Sequence, residues 1–412
     1  MPPAAQPPFA GTGQPAARSR PPVAEPILPG GTLGILGGGQ LGGMFAMAAR
    51  RMGYRVEAIS DTADCPAARL CDRLHVGRYD DPRFLATAAH GLDVVTFEFE
   101  NVPAAAAAAL AGAVPVRPEP AVLFTTQDRA REKAFLTRHG FACVPYRVVR
   151  SLPELIAAYA ELGLPAVLKT AAFGYDGKGQ KRLAPGDDPA AAWRELGGDA
   201  PDGPREFVLE AWVEFACEIS VVAARGLDGT TAVFPPVRND HIHHILDISS
   251  LPSNLPPAVE AEAVDVTERM LTALGVVGVA CVEFFVTSDG RVLVNEIAPR
   301  THNSGHLTIQ ACETSQFEQQ VRAICGLPLG SPRPVTPAAM ANLLGDCWFD
   351  AANCPQEPDW AAALGVPGVT LHLYGKSEPR RARKMGHLTA LAPTVAEAVE
   401  RVTRSRRLVR RE

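Results

Sequence analysis

Lys169 closes an apolar stretch and is followed by Phe173-Gly174-Tyr175-Asp176-Gly177-Lys178-Gly179-Gln180. A loop with Gly174, Gly177 and Gly179 cannot hold a stable helix or strand, and Lys169 and Lys178 carry the charge that suits a nucleotide's phosphates. It reads as a flexible phosphate lid or as a solvated surface turn; it is not a Walker loop, because no G-x-x-x-x-G-K-[ST] is present. Downstream, Glu283 in Cys281-Val282-Glu283-Phe284-Phe285 and Glu296 in Val294-Asn295-Glu296-Ile297 interrupt two apolar stretches joined by Ser288-Asp289-Gly290. A carboxylate in a buried strand is costly unless it is paired or holds a metal. Two of them beside the Asn295 amide make a Mg²⁺ platform, with salt bridges to Arg or Lys as the other reading. Then comes Pro299-Arg300-Thr301-His302-Asn303-Ser304-Gly305-His306, denser in donors than a turn requires and suited to binding an anion.

Nearer the N terminus, Gly37, Gly39 and Gly42 fit G-x-G-x-x-G, with Asp61 about 20 residues on. Three readings stay open: an NAD fingerprint, a site for another phosphate-bearing ligand, or a tight strand-to-helix turn. His241, His243 and His244 lack partners at metal-site spacing and read as loop histidines, with His241 the one to watch near a nucleotide. Lys376 and the run Arg380, Arg381, Arg383, Lys384 suit either a phosphate monoester or a solvated face, and the charge run does not decide between them.

These side chains need a scaffold. Thr32 to Leu36 reads as a buried strand, Gln40 to Met52 as a helix, Tyr54 to Ile59 and Asp93 to Phe99 as strands, and Ala104 to Ala109 as helix-forming. Alternating strands and helices imply a parallel α/β sheet over residues 31–125, after a Pro-rich extension at 1–30. From 126 to 330 an α+β domain is expected, with strands at Ala166 to Thr170, Phe207 to Glu210, Ile219 to Ala224, Val279 to Val286 and Val292 to Ile297. A Pro-rich link, Pro328 to Pro337, leads to a third, small domain over 331–412 with a strand at Val369 to Tyr374.

Composition narrows the function classes. The 412 residues suffice for two to four domains, and 40 Lys+Arg against 45 Asp+Glu leave no positive excess to coat a nucleic acid. The nine cysteines contain no C-x-x-C pair, which fits a reducing cytoplasm better than a disulfide framework or zinc knuckle. The longest apolar run, Leu271 to Val282, falls short of the about 18 residues that cross a bilayer. A soluble protein with no membrane partner is expected.

In their order along the chain, the lid, the carboxylate hairpin and the anion loop resemble the ATP-grasp superfamily. Within it the chain is similar to the family that carboxylates 5-aminoimidazole ribonucleotide in purine biosynthesis, from Thr32 to about Leu391. The phrases that carry the likeness are Gly37-Gly38-Gly39-Gln40-Leu41-Gly42, Phe97-Glu98-Phe99-Glu100-Asn101-Val102-Pro103, the lid, the anion loop, and Tyr374-Gly375-Lys376 with Arg383-Lys384-Met385-Gly386-His387. Gly43 departs from the family's usual Arg, so no role for that side chain carries over.

The resemblance implies a ligase using ATP, Mg²⁺ and bicarbonate through carboxyphosphate, and a cytoplasmic homodimer. ATP would be met by Arg129, Lys169, the loop Gly174, Tyr175, Asp176, Gly177, Lys178, Gly179 and Gln180, then Glu218, His241, Asn295 and Glu296. Glu210, Ala211, Trp212 and Val213 would lie at its adenine and ribose. Glu283 and Glu296 would hold Mg²⁺. Gln40, Leu41, Glu98, Asn303, Ser304, Lys376 and Arg383 would bind the ribonucleotide. Arg300, His302 and Lys376 would be the cations that orient bicarbonate, and Asp176, aimed by Tyr175, the proton acceptor. A loop that shields carboxyphosphate from water would be mobile when empty. The alternatives are a formate-dependent glycinamide ribonucleotide transformylase, an NAD-dependent oxidoreductase and an inactive nucleotide-binding scaffold.

Overall fold

A computed structural model describes residues 25–172, 179–203 and 206–410. Strand Thr32–Leu36 is buried along its whole length, as its unbroken apolar run demands. It lies in a four-stranded parallel sheet of order Arg73–Val76, Arg55–Ser60, Thr32–Leu36, Val94–Phe97. Helix Gln40–Arg51 packs Leu41, Met44, Phe45 and Ala49 against one face, and the other face is covered by Leu85, Val102, Ala107 and Leu110. The fourth strand stops at Phe97, short of the expected Phe99; the Glu98 amide still donates to the Leu36 carbonyl, and the Glu98 side chain reaches back to the start of the helix.

A second sheet has four strands in the order Tyr146–Val149, Phe207–Ala211, Ala166–Thr170, Gln180–Leu183, all neighbours antiparallel. It carries Lys169 and Glu210 on adjacent strands. The third and largest sheet has nine strands: Val292–Ala298, Gly278–Val286, Cys217–Arg225, Val237–Ile242, Ile245–Leu251, Ala338–Leu344, Lys384–Leu391 and Val369–Leu373 in order, with Thr231–Val233 paired onto Cys217–Arg225. The last segment of the chain therefore continues the central sheet, through Ile248↔Ala341 and its neighbours. Helix Val395–Val409 seals that end with Ala398 and Val402 against Ala339, Ala341 and Ala390.

Helix Arg129–Arg138 connects the second sheet to the third. Asp128 caps it by accepting from the Arg131 amide, and the three- and four-residue spacing brings Arg129, Glu132 and Lys133 to one side, facing strand Val292–Ala298. Among the described residues, no helix is long and apolar enough to cross a membrane.

Candidate active site

Two lysines, Lys133 buried and Lys169 partly buried, share one carboxylate at the junction of the sheets. Lys169 donates to Glu210 at 2.5 Å and Lys133 lies 3.2 Å from the other oxygen of Glu210, while Lys133 also donates to the Asn295 carbonyl at 3.0 Å. Arg129 reaches Glu296 at 3.3 Å. Burial alone would raise Glu210, but Lys133, Lys169 and Arg129 hold it far below the usual carboxylate range, at about 2. Lys169 is pushed down by burial and by its cationic neighbours. The Glu210 side chain is thus turned to these lysines. Ala211, Trp212 and Val213 continue from its strand; the Trp212 amide donates to the Pro165 carbonyl, and Arg182 lies 4.2 Å over the indole.

Glu283 and Glu296 are cross-strand partners, so their side chains share one face. The pairing slips here, Phe284 facing Val294, and Asn295 is the extra residue of a bulge whose carbonyl Lys133 holds. Burial and the charge of Glu296 push Glu283 up to about 8. Glu296, with its side chain 41% exposed, is held down by Arg129 and Lys169. A pair of oxygen ligands short of positive charge fits a hard divalent cation that takes one or two protein carboxylates together with substrate phosphates. Among the described residues no group of three or more His, Cys, Asp or Glu side chains could hold a metal ion. Glu218 and His241 flank this pair, 3.3 Å apart, and Glu218 and Glu283 raise His241 against the effect of burial. His243 and His244 form the tight turn after it, with φ of 51° and 65°, as loop histidines would.

The glycine-rich turn does not fit the NAD fingerprint. Glu98 sits inside it, accepting from the Gly39 and Gly42 amides at the start of the helix. A Cβ on Gly37 or Gly39 would come within 2.5 Å of the Glu98 side chain. The positive end of the helix is already occupied by the protein's own carboxylate, which leaves no seat for a pyrophosphate and corrects the NAD reading. Burial pushes Glu98 up, and the two amides, Arg300 and Lys376 offset that only in part. With Leu41, Phe45, Thr301 and Gln320, Glu98 lines a small recess, and Gln40 opens the helix at its rim.

Arg300 and Lys376, far apart in sequence, both exert their charge on Glu98. Arg300 also pairs with Glu100 at 2.5 Å. Lys376 donates to the Lys384 carbonyl at 2.6 Å. His302 is a neutral imidazole, because burial and the charges of Arg300 and Lys384 drive it well below its ordinary value; it contacts Glu283 at 3.1 Å. Asn303 exchanges two amide hydrogen bonds with Asn342, and Ser304 is fully buried, so both side chains are engaged within the protein. In the basic run, Lys384 is the residue whose charge acts on Glu283, His241 and His302, while Arg383 donates to the Glu378 carbonyl.

Gly174, Tyr175, Asp176, Gly177 and Lys178, and with them the expected mobile lid, lie outside the described residues. Gly179 and Gln180 are described: Gln180 pairs with Lys169 across the strands. Lys133, Glu132 and Glu100 belong to the site without a role foreseen for them, and Lys384 was expected only as part of the basic run. Lys133 and Glu132 carried a signal, two adjacent charges in a helix that also needs a buried side, but nothing local assigned them partners.

Fold and site together define an ATP-dependent ligase of the ATP-grasp class: buried cations beside a pair of carboxylates, between a small sheet and a large one. Family profiles agree, matching an ATP-grasp domain over residues 134–317, a ribonucleotide synthetase preATP-grasp domain over 31–127 and a phosphoribosylaminoimidazole carboxylase C-terminal domain over 338–401. The chain is 46% identical to the N5-carboxyaminoimidazole ribonucleotide synthase of Brucella melitensis over 367 residues, 89% of this chain and 98% of that one. The solved ADP complex of an N5-carboxyaminoimidazole ribonucleotide synthetase is similar at a TM-score of 0.85 and 39% identity, covering 93% of this chain and 98% of the other. The enzyme of Aspergillus clavatus with ADP and 5-aminoimidazole ribonucleotide is similar at a TM-score of 0.80 and 29% identity, covering 93% and 99%. The chain belongs to the N5-carboxyaminoimidazole ribonucleotide synthase family.

Proposed function

We propose that this chain carboxylates the amine of 5-aminoimidazole ribonucleotide in purine biosynthesis, consuming ATP and bicarbonate and releasing ADP and phosphate. A bicarbonate oxygen attacks the γ-phosphorus, and the bond to the β–γ bridging oxygen breaks to leave ADP and carboxyphosphate. The amine nitrogen then bonds to the carboxyl carbon, phosphate departs, and the amine's proton passes to Asp176, positioned by Tyr175. Phosphoryl transfer asks mainly for fixed charge around the oxygens. Lys169 and Arg129 supply it from the protein, with Lys178 from the lid. Glu283 and Glu296 would hold Mg²⁺, which when bound adds neutralising charge at the β- and γ-oxygens.

Arg300 and Lys376 bind and orient the small anion, while His302, turned to Glu283, acts on the site through that carboxylate. Lys376 and Arg383 meet the ribonucleotide's phosphate. The same reading takes the chain to be a cytoplasmic homodimer, which light scattering of the purified protein would test.

One observation carries the proposal. Cations and carboxylates from three distant stretches, Arg129 to Lys169, Glu283 to Arg300, and Lys376 to Lys384, act on one another across a single site. The experiment is an ADP-release assay with the ribonucleotide present, supplying bicarbonate or formate separately. Turnover should require bicarbonate; turnover with formate alone would replace this reading with the transformylase.

A further inference from the structure

A line of buried polar side chains crosses the interior of the large sheet and ends at His302. Ser249, Asn239 and Ser220 come from three neighbouring strands, Ile245–Leu251, Val237–Ile242 and Cys217–Arg225, and are 0%, 4% and 0% exposed. Ser249 donates to Asn239 Oδ1 at 2.8 Å, Asn239 Nδ2 donates to Ser220 Oγ at 2.9 Å, and Ser220 donates to Ser304 Oγ at 2.7 Å. Ser304 Oγ lies 2.9 Å from His302 Nδ1. Alanine would fit such sheet positions without the cost of burying hydroxyls, so a fully connected chain that ends on a site residue calls for a purpose.

The direction of the chain follows from what each atom can do. An amide oxygen only accepts and an amide nitrogen only donates, which fixes the first two bonds. Ser220 then passes its own proton to Ser304, and the Ser304 proton has Nδ1 as its acceptor. The Cys281 sulfur beside both serines is a weak competitor. A second donor agrees independently: the Ser304 backbone N–H points at the same Nδ1, at 3.4 Å. An Nδ1 that receives two donors carries no proton, so the imidazole hydrogen sits on Nε2, 3.1 Å from Glu283 Oε1.

We propose that Ser249, Asn239 and Ser220 are positioning residues of the active site, which through Ser304 fix His302 as the Nε2–H tautomer and so aim a hydrogen bond at Glu283. That bond orients the carboxylate and leaves its second oxygen for a cation; the opposite tautomer would set a lone pair against it. The inference rests on the proposed role of Glu283 as a metal ligand. Outer hydrogen bonds of this kind are worth roughly 10- to 100-fold in metal affinity or activity.

The test uses the full-length protein labelled with ¹⁵N-histidine, with His302→Asn to identify the His302 signals. Long-range ¹H–¹⁵N spectra at neutral pH should show Nδ1 unprotonated in the wild type. Ser220→Ala should populate the other tautomer, lower kcat about tenfold, raise the Mg²⁺ concentration needed for half-maximal rate and leave the KM for ATP within about twofold. Ser220→Thr, which keeps the hydroxyl, should restore the wild-type spectrum and rate. A proton on Nδ1 in the wild type would overturn the proposal, as would a Ser220→Ala variant with unchanged His302 signals and kcat. Should Ser220→Ala not fold, the wild-type spectrum alone decides. Because the spectrum needs no turnover, its failure is distinguishable from failure of the proposed reaction, which the ADP-release assay reports.

Discussion

Replacing Glu210 by glutamine preserves the shape of the side chain and removes the negative charge that faces Lys133, Lys169 and Arg129. The site is dry: the Glu210 side chain is 4% exposed and that of Lys133 1%. The carboxylate moves from 4.5 to about 2 on folding, which corresponds to about 3 kcal/mol of stability at neutral pH. Breaking a buried ion pair from one side costs about 3–5 kcal/mol, an independent route to a similar size. Because the folded value is depressed, this stability is fully present above pH 4.5 and is lost as the pH falls toward 2, with about half remaining near pH 3. Glu210→Gln should therefore lower the unfolding free energy by about 3 kcal/mol at pH 7, and the gap from wild type should narrow on acidification. Urea melts of both proteins, followed by tryptophan fluorescence from pH 7 down to about 3.5, measure it. A gap under about 1 kcal/mol at pH 7, or one that does not change with pH, would refute the assignment of Glu210 as the shared counter-ion of the two lysines.

Gly39→Ala would put a methyl group 2.5 Å from a Glu98 oxygen and force the carboxylate off its two amides; a loss of about 3 kcal/mol in chemical denaturation is expected. Glu132, raised to about 8 by burial and by Glu296, and with one oxygen lacking a hydrogen bond, destabilises the fold as the pH rises from 4.5 toward 8. Glu132→Gln should accordingly raise the melting temperature at pH 8 and change it little at pH 5. Lys376→Ala should raise the KM for the ribonucleotide or bicarbonate at least about tenfold and for ATP far less, and equal effects on all three would argue against its seat at the anion. Asp176→Ala should abolish carboxylated product while ATP affinity, measured by calorimetry, stays within a few-fold.

Short-range features were legible in the sequence because their causes are short-range. The buried strand at Thr32–Leu36 follows from an unbroken apolar run, the helix after it from the glycine turn, and the interest of Glu283 and Glu296 from charge set in apolar strands. The order of the motifs was enough to bring the family into view. What tertiary structure decided is which group meets which. Glu98 fills the glycine turn from 56 residues away, and Lys133 grips the Asn295 carbonyl from 162 residues away. Ser304 and Asn303 read as ligand contacts because they are polar and lie in a polar loop; the packing of Asn342 and Ser220 against that loop engages them within the protein. A residue's type limits what it can donate, accept or neutralise; its partner, and the burial that sets its charge, depend on how distant strands and helices come together. The sequence by itself thus determined the chemistry on offer, and only the folded chain determined that His302 is neutral, that Glu210 serves the lysines and that the glycine turn holds an internal carboxylate.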